Sequence, residues 1–258
     1  MRNMSLRGLI LVLLLASAAV LVQACRQSEP AEQSKQPAEE ATKPTEQPKE
    51  PVGASGDGDL EPIAIELPGA RPDITPEAIP HGPRIEKLSN EPRPPFMALK
   101  GTTNVALGKP VSGSDEEPII GELKYITDGD KEASEGGYVE LSPDKQHVQI
   151  DLGAEYNIYA IVVWHYYKVP RVYHDIVVQV CLAPDFLADA VTVYNNDYDN
   201  SAGLGLGEGK KERIETNEGH LIDSKGVKGR YVRLYSNGNT TNDLNHYIEV
   251  EVYGKPAP

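Results

Sequence analysis

Cysteine is scarce in this chain of 258 residues, which contains only Cys25 and Cys181. A domain of this size without a disulfide framework must obtain its stability from a packed core. Cys181 lies inside the strand-like run DIVVQVCLA. We expect it to be a small buried apolar side chain, because nothing nearby in the sequence supplies the positive charge that would favour a reactive thiolate.

Basic residues are fewer than acidic ones, and common catalytic motifs are absent from the sequence. The chain has 25 Lys and Arg against 39 Asp and Glu, a net charge of -14. This balance disfavours nucleic-acid binding, which requires clustered cations to neutralise phosphates. No G-x-S-x-G, H-E-x-x-H or P-loop pattern occurs. The sequence therefore favours a binding protein over an enzyme, although two carboxylates for glycoside hydrolysis could be paired by the fold alone.

Long apolar runs are limited to residues 9–22, which follow Arg2 and Arg7 and end in the sequence VQAC. The run is short for a membrane span, and a small residue, Ala24, precedes Cys25. This pattern predicts a lipoprotein signal peptide over residues 1–24 and a diacylglyceryl group on Cys25, hence a lipid-anchored protein of the bacterial cell envelope with an exported domain. The alternative is an ordinary secreted protein in which Cys25 lies at the cleavage site by chance.

Two proline-rich segments follow the predicted signal peptide. Residues 25–59 contain no aromatic side chain and few aliphatic ones, which predicts a disordered tether rich in Pro and Glu. Residues 60–101 contain nine prolines interleaved with isolated aliphatic residues, which blocks regular helices and central strands. Two interpretations stay open for them: an arm that lies along the folded domain or contacts a neighbouring protein, or a flexible linker.

Residues 102–258 have the alternation of a β protein and no sustained helical stripe. HVQIDL, at residues 147–152, alternates apolar and polar positions, and YAIVVWH, at residues 159–165, is apolar enough for a strand buried on both faces. Further strands are expected in DIVVQVCLA, VTVY, RYVRLY and YIEVEVY. We therefore expect an all-β sandwich or jelly roll of about eight antiparallel strands.

Five motifs occur in a characteristic order over residues 104–254: NVALGKPVSGS, ITDGD, HVQIDLG, GRYVRLY and IEVEVYG. In this order the chain resembles a discoidin domain, the coagulation-factor type C, galactose-binding-like β-sandwich. It departs from many members in lacking a disulfide between the domain ends and in reading ASEGGYVEL where they have a Trp, whose core position Tyr138 would fill. The sole tryptophan, Trp164, is expected in the core, with the floor of a loop-end pocket as the alternative.

The acidic turn ITDGD is a candidate calcium site. Asp128 and Asp130 stand two apart around Gly129, a spacing that suits a hard cation with oxygen ligands. The resemblance implies further ligands from the carbonyls of Tyr125, Ala133 and Ile248 and the carboxylate of Glu249. The alternative is an Asp-Gly turn without metal. A second acidic run, residues 195–201, lacks the Gly and Glu of an EF-hand, and we expect a polar loop there.

The resemblance places ligand recognition in loops at one end of the sandwich, which correspond to residues 165–174 and 236–246. Their aromatic rings and charged donors suit a polyol with one apolar face. The candidate residues are His165, Tyr166, Tyr167, Arg171, Tyr173, His174 and Asn239. These residues could instead cap the core.

Together these features predict a non-catalytic, surface-tethered binding module for carbohydrate. The alternative is an assembly or adhesion protein that docks another envelope or secreted protein through the sandwich and the proline-rich arm.

Overall fold

The computed structural model describes residues 58–70, 75–89 and 91–258. The predicted signal peptide, Cys25 and almost all of the predicted tether lie outside these residues. No helix in the described part of the chain is long and apolar enough to cross a membrane.

The described residues form an antiparallel β structure with two short 3-10 helices, Pro76–Ala78 and Leu123–Thr127. The strands are β1 (Leu60–Pro62), β2 (Met97–Leu99), β3 (Thr103–Asn104), β4 (Val111–Gly113), β5 (Val139–Leu141), β6 (Lys145–Trp164), β7 (Val177–Cys181), β8 (Val191–Asn195), β9 (His220–Asn237), β10 (Asn245–Tyr247) and β11 (Glu249–Pro256).

Two long strands generate both layers of the sandwich. The register between β6 and β9 shifts between Asp151 and Tyr156, where Gly153 has a φ of 81°. Before the shift, β6 pairs with β4 and the second half of β9, which continues to β7 and β8. After it, β6 pairs with the first half of β9 and with β11. The predicted antiparallel β-sandwich is confirmed.

The core lies between these layers and follows the period of two. Ile150, Val232 and Leu234 from one layer share a buried cluster with Val163 and Val250 from the other. Cys181 is a buried free cysteine whose thiol lies 3.3 Å from the carbonyl of Ala188. The core is therefore built from residues separated by many positions in the sequence, and it contains no disulfide among the described residues.

The proline-rich arm covers the outer face of the second layer. Val162 and Trp164 point away from the main core and are buried in a second cluster with Ile63, Phe96 and Ala98 of the arm. This explains why residues 159–165 are almost continuously apolar, because this stretch of β6 is covered on both faces. Trp164 is fully buried, as expected for a core residue, and its Nε1 donates to the Asn217 carbonyl at 2.9 Å.

Polar contacts fasten the arm at several points. Its two ends pair with each other as β1 and β2, with Leu60 opposite Leu99. In between, the Arg93 guanidinium donates to the carbonyls of Glu218 and Gly219 at 2.9 and 3.2 Å. The described parts of the arm thus lie against the sandwich rather than apart from it.

Candidate ligand site and metal centre

The segment after β6 turns inward, so it buries most of the predicted ligand residues. The His165 ring stacks on Tyr173 with centroids 4.5 Å apart, and its Nδ1 lies 3.1 Å from Glu215 Oε1. Tyr167 is fully buried and donates its hydroxyl to the Lys131 carbonyl at 3.0 Å. The side-chain amide of the buried Asn239 donates hydrogen bonds to Asn242 Oδ1 and to the Leu244 carbonyl. These side chains shape the loops from inside.

A second set of side chains forms what we call the tyrosine–arginine cluster: Tyr138, Glu140, Tyr166, Arg171 and His246. The rings of Tyr138 and Tyr166 are 4.9 Å apart, and the Arg171 guanidinium lies 5.0 Å from the centre of the Tyr166 ring. Both tyrosines are half-buried, so part of each ring faces solvent. The cluster joins an aromatic surface to a cation.

Strand pairing holds the polar side of this cluster. His246 on β10 stands opposite Glu140 on β5, and His246 Nε2 lies 2.9 Å from Glu140 Oε2. Burial lowers the pKa of His246 to about 3, and the charge of Arg171 adds to this shift. A neutral imidazole with its proton on Nε2 can donate to Glu140 and accept from Arg171 Nη1, which lies 3.5 Å from Nδ1.

Two polar atoms at this place have no hydrogen-bond partner among the described residues. They are Arg171 Nε and the Tyr173 hydroxyl, both buried. The Tyr173 hydroxyl faces Arg171 and the Tyr166 backbone without a well-formed bond to either. A buried donor without a partner costs about 1–3 kcal/mol. A ligand hydroxyl is one group that would remove this cost.

His174 lies apart from the cluster. Its Nδ1 is 2.7 Å from Glu212 Oε1, and this hydrogen bond raises the pKa of His174. It lines a cavity of about 250 Å³ with Tyr198 and Arg84, whose guanidinium lies 3.0 Å from the centre of the Tyr198 ring. Of the predicted ligand residues, the structure therefore brings His165, Tyr166, Arg171 and Tyr173 together and places His174 at a separate cavity.

The acidic turn lies where the predicted calcium site requires it. Asp128 ends the second 3-10 helix, and Gly129 follows with a φ of 90°. Asp128 Oδ1 accepts the Asp130 backbone N–H at 2.9 Å, and Asp130 Oδ1 accepts that of Glu132 at 2.9 Å. Ala133 has a φ of 48°, so the loop is tightly wound around these backbone groups.

Glu249 is the strongest sign of a cation at this turn. Its side chain is fully buried, Oε2 accepts the Gly129 N–H at 3.2 Å, and Oε1 has no partner in the described part of the chain. Burial, together with the nearby carboxylates of Asp128 and Glu251, raises its pKa to about 9. A hard cation beside Oε1 would be the natural complement. These side chains supply carboxylate oxygens of the kind that calcium takes, and the ligand set itself, with the carbonyls of Tyr125, Ala133 and Ile248, stays a prediction.

The structure gathers three other carboxylates more closely than those of the acidic turn. Oxygen atoms of Asp175, Asp197 and Asp199 all lie within 4.8 Å of one another, a group that could hold a metal ion. Their oxygens accept hydrogen bonds within the loop, for example from the Ser201 hydroxyl to Asp175 at 2.7 Å and from the Ala202 N–H to Asp197 at 2.9 Å. These bonds are typical of the polar loop expected for residues 195–201.

Two members of the tyrosine–arginine cluster were not found from the sequence. Glu140 has the outward position of an alternating strand, and His246 was counted only as part of a polar loop. The alternation of β5 was a usable signal for the outward position of Glu140, whereas β10 has no such alternation and His246 is buried. The pairing of the two residues could not be found from sequence, because it depends on the register of β5 against β10.

No family model matches this chain, and no curated protein matches it. The solved structures that it resembles include the CBM32 module of AlyQ in complex with 4,5-unsaturated mannuronic acid, with 19% identity, a TM-score of 0.41, and coverage of 55% of this chain and 92% of that one. A fucose-binding module from Streptococcus pneumoniae has 18% identity, a TM-score of 0.41, and coverage of 58% and 97%.

A family 89 glycoside hydrolase from Clostridium perfringens, in complex with 2-acetamido-1,2-dideoxynojirmycin, has 19% identity and a TM-score of 0.43. Here 60% of this chain is covered, but the match spans only 15% of that much longer protein.

Proposed function

We propose that this chain is a non-catalytic, discoidin-like module that binds carbohydrate at the tyrosine–arginine cluster. The observation that carries this proposal is the unpartnered Nε of buried Arg171 beside the half-exposed ring of Tyr166. A sugar has hydroxyl acceptors next to an apolar face of C–H groups, so it complements both features at once.

Each member of the cluster has a definable part in binding. The exposed part of the Tyr166 ring packs against the apolar face of the sugar, and Tyr138 extends that surface. Arg171 Nε–H donates to a hydroxyl or an acidic substituent. His246, kept neutral, holds the guanidinium in place without competing for the ligand, and Glu140 fixes the orientation of the imidazole. No step of this role requires a nucleophile or a general base.

Calcium at the acidic turn would support the same site. Asp128, Asp130 and Glu249 would hold the ion, with the carbonyls of Tyr125, Ala133 and Ile248 as further ligands. The Tyr167 hydroxyl bonds the Lys131 carbonyl, so the turn and the loop that carries Tyr166 are fastened to each other. An ion that fixes the turn would therefore fix the position of the sugar-binding loop.

We also propose that the module is held at the bacterial cell envelope by a lipid on Cys25. The competing function, docking of a protein partner through the arm, would need free apolar surface on the arm. Its residues Ile63, Phe96 and Ala98 are instead buried against the sandwich, and the described part of the arm keeps large exposed apolar side chains at the separate positions Leu60 and Leu67.

A glycan array on the full-length protein, followed by calorimetry with the best ligand, tests the proposal. Tyr166→Ala should weaken binding by about 0.5–1.5 kcal/mol, the range for an aromatic contact. Arg171→Lys keeps the charge but loses the Nε–H, and should weaken binding by about 1.5–3 kcal/mol. Tyr198→Ala, which removes an exposed tyrosine outside the cluster, is the matched control and should bind normally.

A blank array together with capture of one defined protein partner would favour the docking function. Equal losses in Tyr166→Ala and Tyr198→Ala would move the sugar site elsewhere. Arg171→Ala is a poor probe because Arg171 is only 7% exposed and removing it opens the loop interior.

A further inference from the structure

An open groove runs along the side of the sandwich. The ring of Tyr194 separates it from the core. The groove lies between Val193 and Tyr194 of β8, residues 220–223 at the start of β9, and the loop at residues 209–213. β8 pairs only with β7, and this part of β9 pairs only with β6, so both neighbouring strands present free edges. The groove encloses about 650 Å³, within the size range of small-ligand pockets.

Four cations line this lateral groove in a chain whose net charge is -14: Lys210, Lys211, Arg213 and Lys225. Only two carboxylates face them. Glu86 lies 3.3 Å from Arg213, and Asp223 accepts the backbone N–H of Lys225 at 3.0 Å. The three lysines make no ion pair with any described residue. The groove therefore keeps an uncompensated positive charge.

The inner wall of the groove adds no carboxylate, because it consists of the uncharged imidazole of His220 and the ring of Tyr194. His220 is buried there, with its ring packed edge-on against Tyr194 at a centroid distance of 4.4 Å. Burial holds the pKa of His220 well below its ordinary value, and the charges of Arg213, His165, Arg93 and Lys210 lower it further. The imidazole of His220 is therefore uncharged and leaves the positive charge of the groove to its lysines and Arg213.

Apolar groups complete the groove. Val193 and Leu221 are half-buried, and the buried Ile222 also lines the groove. A ligand here would meet C–H surface on the floor and ammonium groups at the rim. A long polyanion is a poor match, because its remaining charges would lie over an acidic protein surface.

We propose that the lateral groove binds a single sugar residue that carries an anionic substituent, a carboxylate or a sulfate. The ring lies on Val193 and Leu221, and the anionic group lies between Lys210, Lys211 and Arg213. This site shares no residue with the tyrosine–arginine cluster, so it would give the protein a second contact with a glycan that carries an isolated anionic residue. It stands or falls independently of the first site.

Calorimetry with digalacturonate on the full-length protein tests this inference, with neutral galactobiose and inorganic phosphate as comparison ligands. Lys210→Gln combined with Lys211→Gln should weaken digalacturonate binding roughly tenfold, the sum of two exposed charge contacts. Both lysines are exposed, so folding should be unaffected. Lys100→Gln combined with Lys124→Gln makes the same change of net charge at exposed positions elsewhere and should have no effect.

Raising NaCl from about 0.01 M to about 0.15 M, which shortens the Debye length from roughly 30 to 8 Å, should also weaken binding. Equal binding of galactobiose, equal loss in both lysine pairs, or no binding of digalacturonate would overturn the proposal. Binding of phosphate without digalacturonate would overturn the assignment to a sugar.

Discussion

Replacement of Glu249 by Gln gives the sharpest test of the acidic turn. Glu249 is fully buried and one of its oxygens has no partner among the described residues. Its pKa is about 9 in the folded protein against 4.5 for an ordinary glutamate. Between these two values the folded protein keeps a proton that the unfolded chain has lost.

The sign of the pH dependence follows from this difference. In metal-free protein the contribution of Glu249 to stability is fully present below pH 4.5 and is lost as the pH rises toward 9. Each pH unit costs about 1.4 kcal/mol, so at pH 7 the free energy of unfolding has fallen by about 3 kcal/mol. Gln has nearly the same shape and cannot ionise. Without metal, Glu249→Gln should therefore be more stable than the wild type at pH 7, by up to about 3 kcal/mol or roughly 6–12 °C.

Calcium should make the wild type more stable than Glu249→Gln, the reverse of the order without metal. A cation bound to ionised Glu249 stabilises the wild type by about 2.7 kcal/mol at a hundred times its Kd, whereas the amide is a weaker ligand. The measurement is thermal unfolding from pH 5 to 8, in EDTA and in calcium. Glu116→Gln, an exposed carboxylate elsewhere, is the matched control and should follow the wild type.

Two results would refute this reasoning. If metal-free Glu249→Gln melted below the wild type at pH 7, Glu249 would be ionised and well solvated rather than protonated in a buried site. If calcium raised the melting temperatures of both proteins equally, Glu249 would not be a ligand of the ion.

Two further predictions concern the arm and the anchor. Phe96→Ala should lower the free energy of unfolding, measured in urea, by about 3–5 kcal/mol, because this 3% exposed ring fills the second cluster. Leu67→Ala, at a 50% exposed position of the same arm, should change it little. Similar values for the two variants would mean that the arm is not packed in solution. Cys25→Ser should release the protein from the membrane fraction, and retention after signal removal would contradict the lipid anchor.

The sequence by itself determined the class of fold and the local chemistry. Alternation at residues 147–152 and the apolar run at residues 159–165 correctly indicated a one-sided and a two-sided strand, because side-chain burial in a sheet follows the period of two. The apolar character of Trp164 was enough to place it in the core. The spacing of Asp128, Gly129 and Asp130 likewise identified a tight, oxygen-rich turn.

Only the tertiary structure decided which surfaces those elements meet. Phe96 comes from a segment too rich in proline for its packing to be deduced, yet it covers the outer face of β6. The density of Tyr and His in residues 165–174 pointed to a ligand site, but the turn of the loop buries His165 and Tyr167 and leaves Tyr166 at the surface.

Glu140 meets His246 across 106 positions of sequence, and Asp175 joins Asp197 in the same way. Local sequence patterns indicate on which face of its own strand each side chain lies. Contacts between distant segments depend on strand register and loop path, which the packing of the whole core fixes.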